Sequence, residues 1–219
     1  MSDKLIRVML VDDHEIVRHG YKRLLESHGG VEIVAEAADA AESYVQYKAT
    51  SPDVVIMDVT MPGRGGIDAA QQLRRMDPNA RIIFYSMHAT ATYAIQAIRA
   101  GAKGYVTKSS DPALLVEAVK KVMQDKPSFC PEIAESLAAS RVEQETNPIE
   151  FLSPREFEIL RMLLEAKSTQ EIAAAFRLST KTVANYHYAI KSKLGVSSDI
   201  DLVYFCMRHG LVPPLGTAP

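Results

Sequence analysis

The first 125 or so residues alternate short apolar runs with longer amphipathic stretches. The run Val54–Met57 is apolar at every position, which is typical of a strand covered by helices on both faces of a sheet. Strands that alternate with helices predict βα units around a parallel sheet. We therefore expect an α/β doubly wound domain of five strands and five helices, with the strands at Ile6–Val11, Val31–Ala35, Val54–Met57, Ile82–Tyr85 and Gly104–Val106.

The segment from Pro127 to Pro148 differs from what precedes it. It has three prolines, an Ala/Ser/Glu-rich middle and a polar run at residues 143–147. This composition is typical of a linker, and it leaves room for a short helix over Glu132–Ser140.

A helical unit begins after the linker. Ser153-Pro154-Arg155-Glu156 and Ser168-Thr169-Gln170-Glu171 are capping boxes, the signature of a helix N-terminus. A short helix at Ser168–Phe176, a tight turn and a second helix at Thr180–Leu194 meet the specification of a helix-turn-helix, whose second helix enters the major groove. A fourth helix is expected at about Asp199 to His209. The predicted organisation is an α/β domain (1–126), a linker (127–149), an all-α domain (150–212) and a flexible tail (213–219).

Composition favours a cytoplasmic protein. No apolar run approaches the roughly 20 residues needed to span a bilayer, and the N-terminus lacks the layout of a signal peptide. Cys130 and Cys206 have neither metal-ligand spacing nor a disulfide framework. The net charge is −2, and residues 150–219 hold eight basic and seven acidic side chains. A nucleic-acid surface would therefore depend on local clustering of cations.

Three carboxylates are expected to meet at one edge of the sheet. Asp12 and Asp13 end the first strand and Asp58 ends the third, and these strands are neighbours in the order 2-1-3-4-5. Carboxylates this close repel one another unless a cation lies among them. Their oxygen ligands suit Mg²⁺, which takes one or two protein carboxylates and keeps several waters.

The same edge predicts phosphoryl chemistry. Lys108 follows the fifth strand and Ser86 ends the fourth, so both should face the acids. A carboxylate such as Asp58 can act as nucleophile toward phosphorus and form an aspartyl phosphate. The transfer needs a metal to offset the phosphoryl charge and a cationic or hydroxyl donor for its oxygens.

These motifs resemble the receiver domains of bacterial response regulators, which are flavodoxin-like. The resemblance lies in Val11-Asp12-Asp13-His14, Asp58-Val59-Thr60-Met61-Pro62-Gly63, Tyr85-Ser86 and Gly104-Tyr105-Val106-Thr107-Lys108. It implies that Asp58 is phosphorylated by a sensor histidine kinase. It also implies that Asp13, Asp58 and the Thr60 backbone carbonyl bind Mg²⁺, with Asp12 acting through a bound water. Ser86 and Lys108 would contact the phosphoryl oxygens, and Tyr105 would be an aromatic switch that turns inward with Ser86.

The C-terminal unit resembles the LuxR-type, or NarL-type, helix-turn-helix module from about Phe151 to Leu211. The motifs are Leu152-Ser153-Pro154-Arg155-Glu156, Gln170-Glu171-Ile172-Ala173, Leu178-Ser179, Lys181-Thr182-Val183 and Lys193-Leu194-Gly195-Val196. The helix N-terminus at Ser179, Thr180, Lys181 and Thr182 could bind a phosphate, as could Lys191 and Lys193. The positions expected to face the groove, here called the base-contact positions, are Ala184, Asn185, His187, Tyr188 and Lys191. The family often carries Lys or Arg where this chain has Ala184 and Tyr188.

Together the two resemblances imply a transcription regulator that is not an enzyme beyond its own phosphorylation and dephosphorylation. The expected partners are double-stranded DNA, a sensor histidine kinase, RNA polymerase and, when phosphorylated, a second copy of the chain. Phosphorylation would reshape the faces at Tyr93–Ala100 and Leu114–Val122. It would then favour a dimer, through a helix carrying Leu202, Val203 and Phe205, or release the recognition helix from the receiver.

Three other functional classes share parts of this pattern. An aspartyl-nucleophile phosphatase needs Asp-x-Asp at the end of the first strand, whereas this chain has adjacent Asp12-Asp13 there and no second acid in Asp58-Val59-Thr60. An atypical receiver that acts through partner or ligand binding remains an alternative, as does a helical module that binds protein. We expect surface or capping roles for His14 and His88.

Overall fold

We describe a computed structural model of the chain, which covers residues 5–142 and 147–212. The predicted flexible tail at 213–219 and most of the predicted polar run at 143–147 lie outside the described residues.

The N-terminal domain is built on a parallel six-stranded sheet of order β2-β1-β3-β4-β5-β6. The predicted order 2-1-3-4-5 is confirmed. The strands are β1 (Ile6–Val11), β2 (Val31–Ala37), β3 (Val54–Met57), β4 (Ile82–Ser86), β5 (Gly104–Thr107) and β6 (Ser128–Phe129).

The prediction of five strands is wrong by one, because the sequence interpretation assigned β6 to the linker. β6 pairs with β5 through Gly104 opposite Ser128. The Ser128 amide donates to the Lys103 carbonyl at 3.0 Å. A strand of two residues is too short to show an alternation of apolar and polar side chains, so the hydrophobic pattern could not reveal β6.

In the described part of the chain, five helices cover the sheet, one follows β6 and four form the C-terminal domain. The capping boxes predicted at Ser153 and Ser168 are both present, and Ser198 heads a third. The helices are α1 (Glu15–Ser27), α2 (Ala40–Thr50), α3 (Gly65–Met76), α4 (Ala91–Arg99), α5 (Ala113–Met123), α6 (Pro131–Val142), α7 (Pro154–Leu164), α8 (Thr169–Phe176), α9 (Thr180–Leu194) and α10 (Asp199–Arg208). A 3₁₀ turn at Pro148–Phe151 leads into α7. No helix among residues 5–142 and 147–212 is long and apolar enough to cross a membrane.

The C-terminal domain packs against α3 and α4 of the N-terminal domain. Tyr93 on α4 meets Phe157 on α7 edge to face, with ring centroids 5.3 Å apart. The buried Gln96 side chain donates to the Ile149 carbonyl at 2.8 Å. Residues of both domains form one continuous hydrophobic cluster, so the helical domain is docked on the sheet domain rather than tethered beside it.

Candidate functional site

The three predicted acids meet at the carboxyl edge of the sheet. β1 and β3 are paired, with Val11 opposite Met57, so the residues that follow these strands are neighbours. Ligand atoms of Asp12, Asp13, His14 and Asp58 all lie within 4.8 Å of one another. The sequence prediction that places the acids together is confirmed.

Lys108 lies between two of these acids. Its Nζ is 2.6 Å from Asp12 Oδ2 and 2.7 Å from Asp58 Oδ2, and all three side chains are nearly buried. Burial raises the pKa of Asp58, and Lys108 offsets only part of that shift. Burial opposes the charge on Lys108, but its hydrogen bonds to Asp12 and Asp58 outweigh that effect and raise its pKa. The ammonium group is therefore held charged beside the predicted nucleophile.

The donor set fits a hard divalent cation. Asp13 Oδ1 is buried and forms no hydrogen bond with the described residues, although His14 Nδ1 lies 3.1 Å away. The Thr60 amide donates to Asp58 Oδ1 at 3.3 Å, which holds this loop against the acids. Clustered carboxylate oxygens of this kind are the ligands that Mg²⁺ prefers. Asp13, Asp58 and the Thr60 carbonyl are thus suitable ligands.

The two predicted switch residues are both buried. Ser86 Oγ accepts from the His88 amide at 3.3 Å, and the Tyr105 hydroxyl donates to the His88 carbonyl at 2.7 Å. Burial raises the pKa of Tyr105. The Tyr105 side chain is already inside the domain, so the expected inward turn is not needed to reach this arrangement.

His88 is half-buried beside Thr60, and the sequence interpretation, which expected a surface or capping role, did not include it among the site residues. Its Nε2 lies 2.9 Å from Thr60 Oγ1, and its ring stacks on Tyr93 with centroids 3.9 Å apart. Burial lowers its pKa, and the charges of Arg161 and Lys108 lower it further, so the ring is neutral at pH 7. Its position two residues after Ser86, at the same strand end, was the available signal. His14 has the expected exposed position, with 65% of its side chain accessible.

These groups line a cleft of about 570 Å³ to which both domains contribute. One side is the carboxyl edge of the sheet and the loop after β3. The other is the C-terminal end of α7 and the turn that follows it. The lining residues are Asp13, His14, Asp58, Thr60, Met61, Pro62, Gly63, Ser86, Met87, His88, Lys108, Arg161, Met162, Glu165 and Lys167.

The predicted helix-turn-helix is formed by α8 and α9. Ser179 Oγ accepts from the Thr182 amide at 3.1 Å and so caps α9. Arg177 occupies the turn in the left-handed conformation, with φ 54°. Ser179, Thr180, Lys181 and the base-contact positions Ala184, Asn185 and Tyr188 are exposed, whereas Thr182, His187 and Lys191 are half-buried. The C-terminal domain contacts the sheet domain mainly through α7 and the 3₁₀ turn. These contacts do not cover the exposed base-contact positions on α9.

Several of the predicted DNA-contacting cations are engaged by acids. His187 Nε2 and Lys191 Nζ are each 2.9 Å from Asp199 Oδ1. Lys193 Nζ is 2.7 Å from Glu156 Oε2. Lys181 is exposed and forms no ion pair with the residues that the structure describes. The helix therefore offers less unpaired positive charge than its sequence suggests.

Comparisons with known proteins agree with both halves of this description. Residues 8–120 match the response regulator receiver domain, and residues 150–206 match the LuxR family of bacterial regulatory proteins. The chain is 37% identical to the response regulator GacA of Pseudomonas viridiflava over 210 residues, which is 95% of this chain and 98% of that protein.

Two solved structures are also similar. A two-component response regulator of the LuxR family from Aurantimonas sp. SI85-9A1 is 50% identical and has a TM-score of 0.62, covering 64% of this chain and 99% of that chain. RcsB from Salmonella enterica serovar Typhimurium, bound to the promoter rprA with the phosphomimetic BeF₃⁻, has a TM-score of 0.74 at 27% identity, covering 92% of this chain and 98% of that one. The chain belongs to the two-component response regulators of the LuxR family, with an N-terminal receiver domain and a C-terminal DNA-binding helix-turn-helix domain.

Proposed function

We propose that this response regulator is switched by phosphorylation of Asp58, which alters its dimerisation and its binding to double-stranded DNA and so controls transcription. The observation that carries the proposal is the position of Lys108 Nζ, within 2.7 Å of both Asp12 and Asp58 in a cleft that also contains Ser86. A carboxylate, a cation and a hydroxyl are the groups that phosphoryl transfer to a protein side chain requires.

The transfer follows from these positions. An Asp58 carboxylate oxygen attacks the phosphorus of a phosphohistidine on a sensor kinase, and the phosphorus–nitrogen bond breaks as the oxygen–phosphorus bond forms. Lys108 and Ser86 stabilise the phosphoryl oxygens by charge and by hydrogen bonding. Asp13, Asp58 and the Thr60 carbonyl would hold Mg²⁺, with Asp12 acting through a water. When bound, the metal would offset the phosphoryl charge.

The same proposal includes a division into a receiver (1–126), a linker (127–149), a DNA-binding domain (150–212) and a tail (213–219). It also includes a cytoplasmic location, a homodimer formed on phosphorylation, and RNA polymerase as a downstream partner. The similar structure of RcsB bound to a promoter in the presence of the phosphomimetic BeF₃⁻ supports the proposal that phosphorylation and DNA binding are linked in this chain. An atypical receiver that works without phosphorylation would have no need for a buried Lys108 between Asp12 and Asp58. We therefore prefer a function that depends on phosphorylation of Asp58.

Intact-mass spectrometry after incubation with acetyl phosphate and Mg²⁺ tests the phosphoacceptor. The wild type should gain the mass of one phosphoryl group, and Asp58→Asn should gain none. Asp125→Asn, an exposed surface acid, is the matched control and should behave as the wild type. An unmodified wild type, or modification of Asp58→Asn to the same extent, would contradict the assignment.

Genome-wide DNA binding with and without the phosphodonor tests the second half of the proposal. The wild type should occupy more sites, or the same sites more fully, when phosphorylated, and Asp58→Asn should not respond. Identical occupancy of a phosphorylated and an unphosphorylated wild type would support the phosphorylation-independent alternative.

A further inference from the structure

Glu158 on α7 is buried at the junction of the two domains. Its Oε1 accepts the Ile67 amide at 3.0 Å, in the first turn of receiver helix α3. Gly65 approaches the same carboxylate so closely that a Cβ atom there would overlap it. The Arg64 side chain makes no capping bond to α3 and instead donates to the Ala175 carbonyl at 3.2 Å. The DNA-binding domain therefore supplies the acceptor that the first turn of α3 needs.

Arg161, one turn further along α7, joins Glu158 to the phosphoacceptor loop. Its Nε is 2.9 Å from Glu158 Oε2, and its Nη2 is 3.4 Å from the carbonyl of Met61, three residues after Asp58. Glu158 is fully buried, and burial raises its pKa to about 7 despite the guanidinium beside it. Arg155 of the DNA-binding domain and Asp68 of the receiver form an ion pair across the junction at 3.2 Å. Because Glu158 is buried and bonded to both Ile67 and Arg161, it fixes the position of α7 relative to α3.

The docked α7 places charged groups over the phosphoacceptor cleft. Arg161, Glu165 and Lys167 line it together with Asp58 and Lys108. Arg161 is bonded to both Glu158 and Glu165. Lys167 is exposed and makes no ion pair with the described part of the chain. It follows Ala166, whose left-handed φ of 57° turns the chain after the end of α7. The cleft that holds Asp58 thus has a cationic contribution from the DNA-binding domain.

We propose that the C-terminal end of α7 is part of the phosphoacceptor site, that Glu158 is the positioning residue that keeps it there, and that Lys167 contacts the phosphoryl group on Asp58. The inference rests on the proposed function, since it concerns a phosphoryl group at that residue. Coupling between two binding events is reciprocal. A phosphoryl analogue bound at Asp58 therefore strengthens the docking of the DNA-binding domain by the same factor by which docking strengthens the binding of that analogue.

The test uses the full chain and BeF₃⁻ with Mg²⁺ as the phosphoryl probe. Hydrogen exchange over residues 61–68 and small-angle scattering report docking, and titration reports the affinity for the probe. Glu158→Ala should accelerate exchange over 61–68 by about tenfold and raise the Kd for BeF₃⁻ by about fivefold or more, within the usual range of coupling energies. Glu156→Gln is the matched control. Glu156 lies on the same helix, and among the described residues its side chain bonds only to Ser153 and Lys193 of its own domain.

Two measurements guard against a general loss of structure in Glu158→Ala. Exchange over α8 and α9 must equal that of the wild type. Asp68→Asn, which weakens the ion pair with Arg155 from the receiver side, should show the same changes with smaller size. Lys167→Ala should weaken BeF₃⁻ binding by about threefold to fivefold without altering exchange over 61–68, as expected for one exposed charge contact. Lys48→Ala, at an exposed lysine on α2 outside the cleft, should leave BeF₃⁻ binding unchanged.

Three results would overturn the inference. One is a Glu158→Ala protein with intact α8 and α9 whose 61–68 exchange and scattering equal those of the wild type. Another is BeF₃⁻ affinity that stays unchanged when docking is lost, and the third is an effect of Lys167→Ala on BeF₃⁻ affinity no larger than that of Lys48→Ala. Failure of the proposed function is distinguishable, because the wild type would then gain no phosphoryl mass while Glu158→Ala still opened the domains.

Discussion

The phosphoacceptor cleft and the surface of α9 that is expected to face DNA both carry charged side chains. These side chains differ in how deeply they are buried and in how they are paired. In the cleft, Lys108 is bonded to Asp12 and Asp58, and all three side chains are nearly buried. On α9, Lys191 and Lys193 are paired with acids on neighbouring helices, and Asp199 is 67% exposed. A buried, hydrogen-bonded charge loses heavily when its partner is removed, whereas an exposed pair contributes about 0–1 kcal/mol. The cleft is therefore fixed, whereas Lys191 on α9 can exchange its exposed pair with Asp199 for a DNA phosphate.

The largest expected effect is in the cleft. Lys108→Met removes the cation shared by Asp12 and Asp58, and we expect phosphorylation by acetyl phosphate to slow by about 100-fold, the usual cost of losing one preorganised electrostatic donor. Lys120→Met, an exposed lysine on α5, should leave the rate unchanged. Phosphorylation rates are followed by intact mass. A rate for Lys108→Met within threefold of the wild type would remove the contrast with the DNA surface.

The receiver half of the contrast was largely predictable from the sequence. A parallel sheet brings the carboxyl ends of neighbouring strands together, so strand order alone places Asp12, Asp13 and Asp58 at one edge. The helix starts at Ser153 and Ser168 were also predictable, because a capping box is a local pattern in which both partners lie three residues apart.

The unpredicted features depend on partners that are distant in sequence. Glu158 stands in the charged run Arg155-Glu156-Phe157-Glu158, which looks like a solvated helix face, and its acceptor role depends on Ile67, 91 residues earlier. Lys193 on α9 pairs with Glu156 on α7, which lies 37 residues earlier in the chain. No pattern within one helix indicates such pairs, since periodicity reports which face is apolar and not what covers the polar face.

A cation placed on the DNA surface should have a moderate effect. Tyr188 is 76% exposed at a base-contact position, so Tyr188→Lys can add a phosphate contact without burying a charge. One further contact steepens the dependence of log K on log salt by about 0.9, which amounts to roughly fivefold to tenfold tighter non-specific binding near 0.1 M salt. Val45→Lys, at a 66% exposed apolar position on α2, is the matched control. Fluorescence anisotropy across a salt series measures both quantities, and equal slopes for the two variants would place Tyr188 away from the DNA.

The N-terminus of α9 offers a smaller change that separates stability from binding charge. Ser179 caps the helix through the Thr182 amide, so Ser179→Ala should lower the free energy of unfolding of the DNA-binding domain by about 1 kcal/mol. Ser192→Ala, at an exposed position near the end of the same helix, should have little effect. Chemical denaturation followed by circular dichroism gives the free energies. The salt slope of DNA binding should stay as in the wild type, and a changed slope would mean that Ser179 acts through more than the cap.

The smallest expected effect tests whether the exposed pairs on α9 are exchangeable. Asp199 accepts from both His187 and Lys191, and these partners lower its pKa, so it is ionised at neutral pH and competes with DNA for both groups. Asp199→Asn should tighten DNA binding by about twofold, which corresponds to the few tenths of a kcal/mol held in an exposed pair. Asp201→Asn on the same helix is the control, because Asp201 bonds to Ser197 and Ser198 instead of a cation. If Asp199→Asn weakens binding instead, Asp199 serves to orient Lys191 toward the groove, and the DNA surface is as preorganised as the cleft.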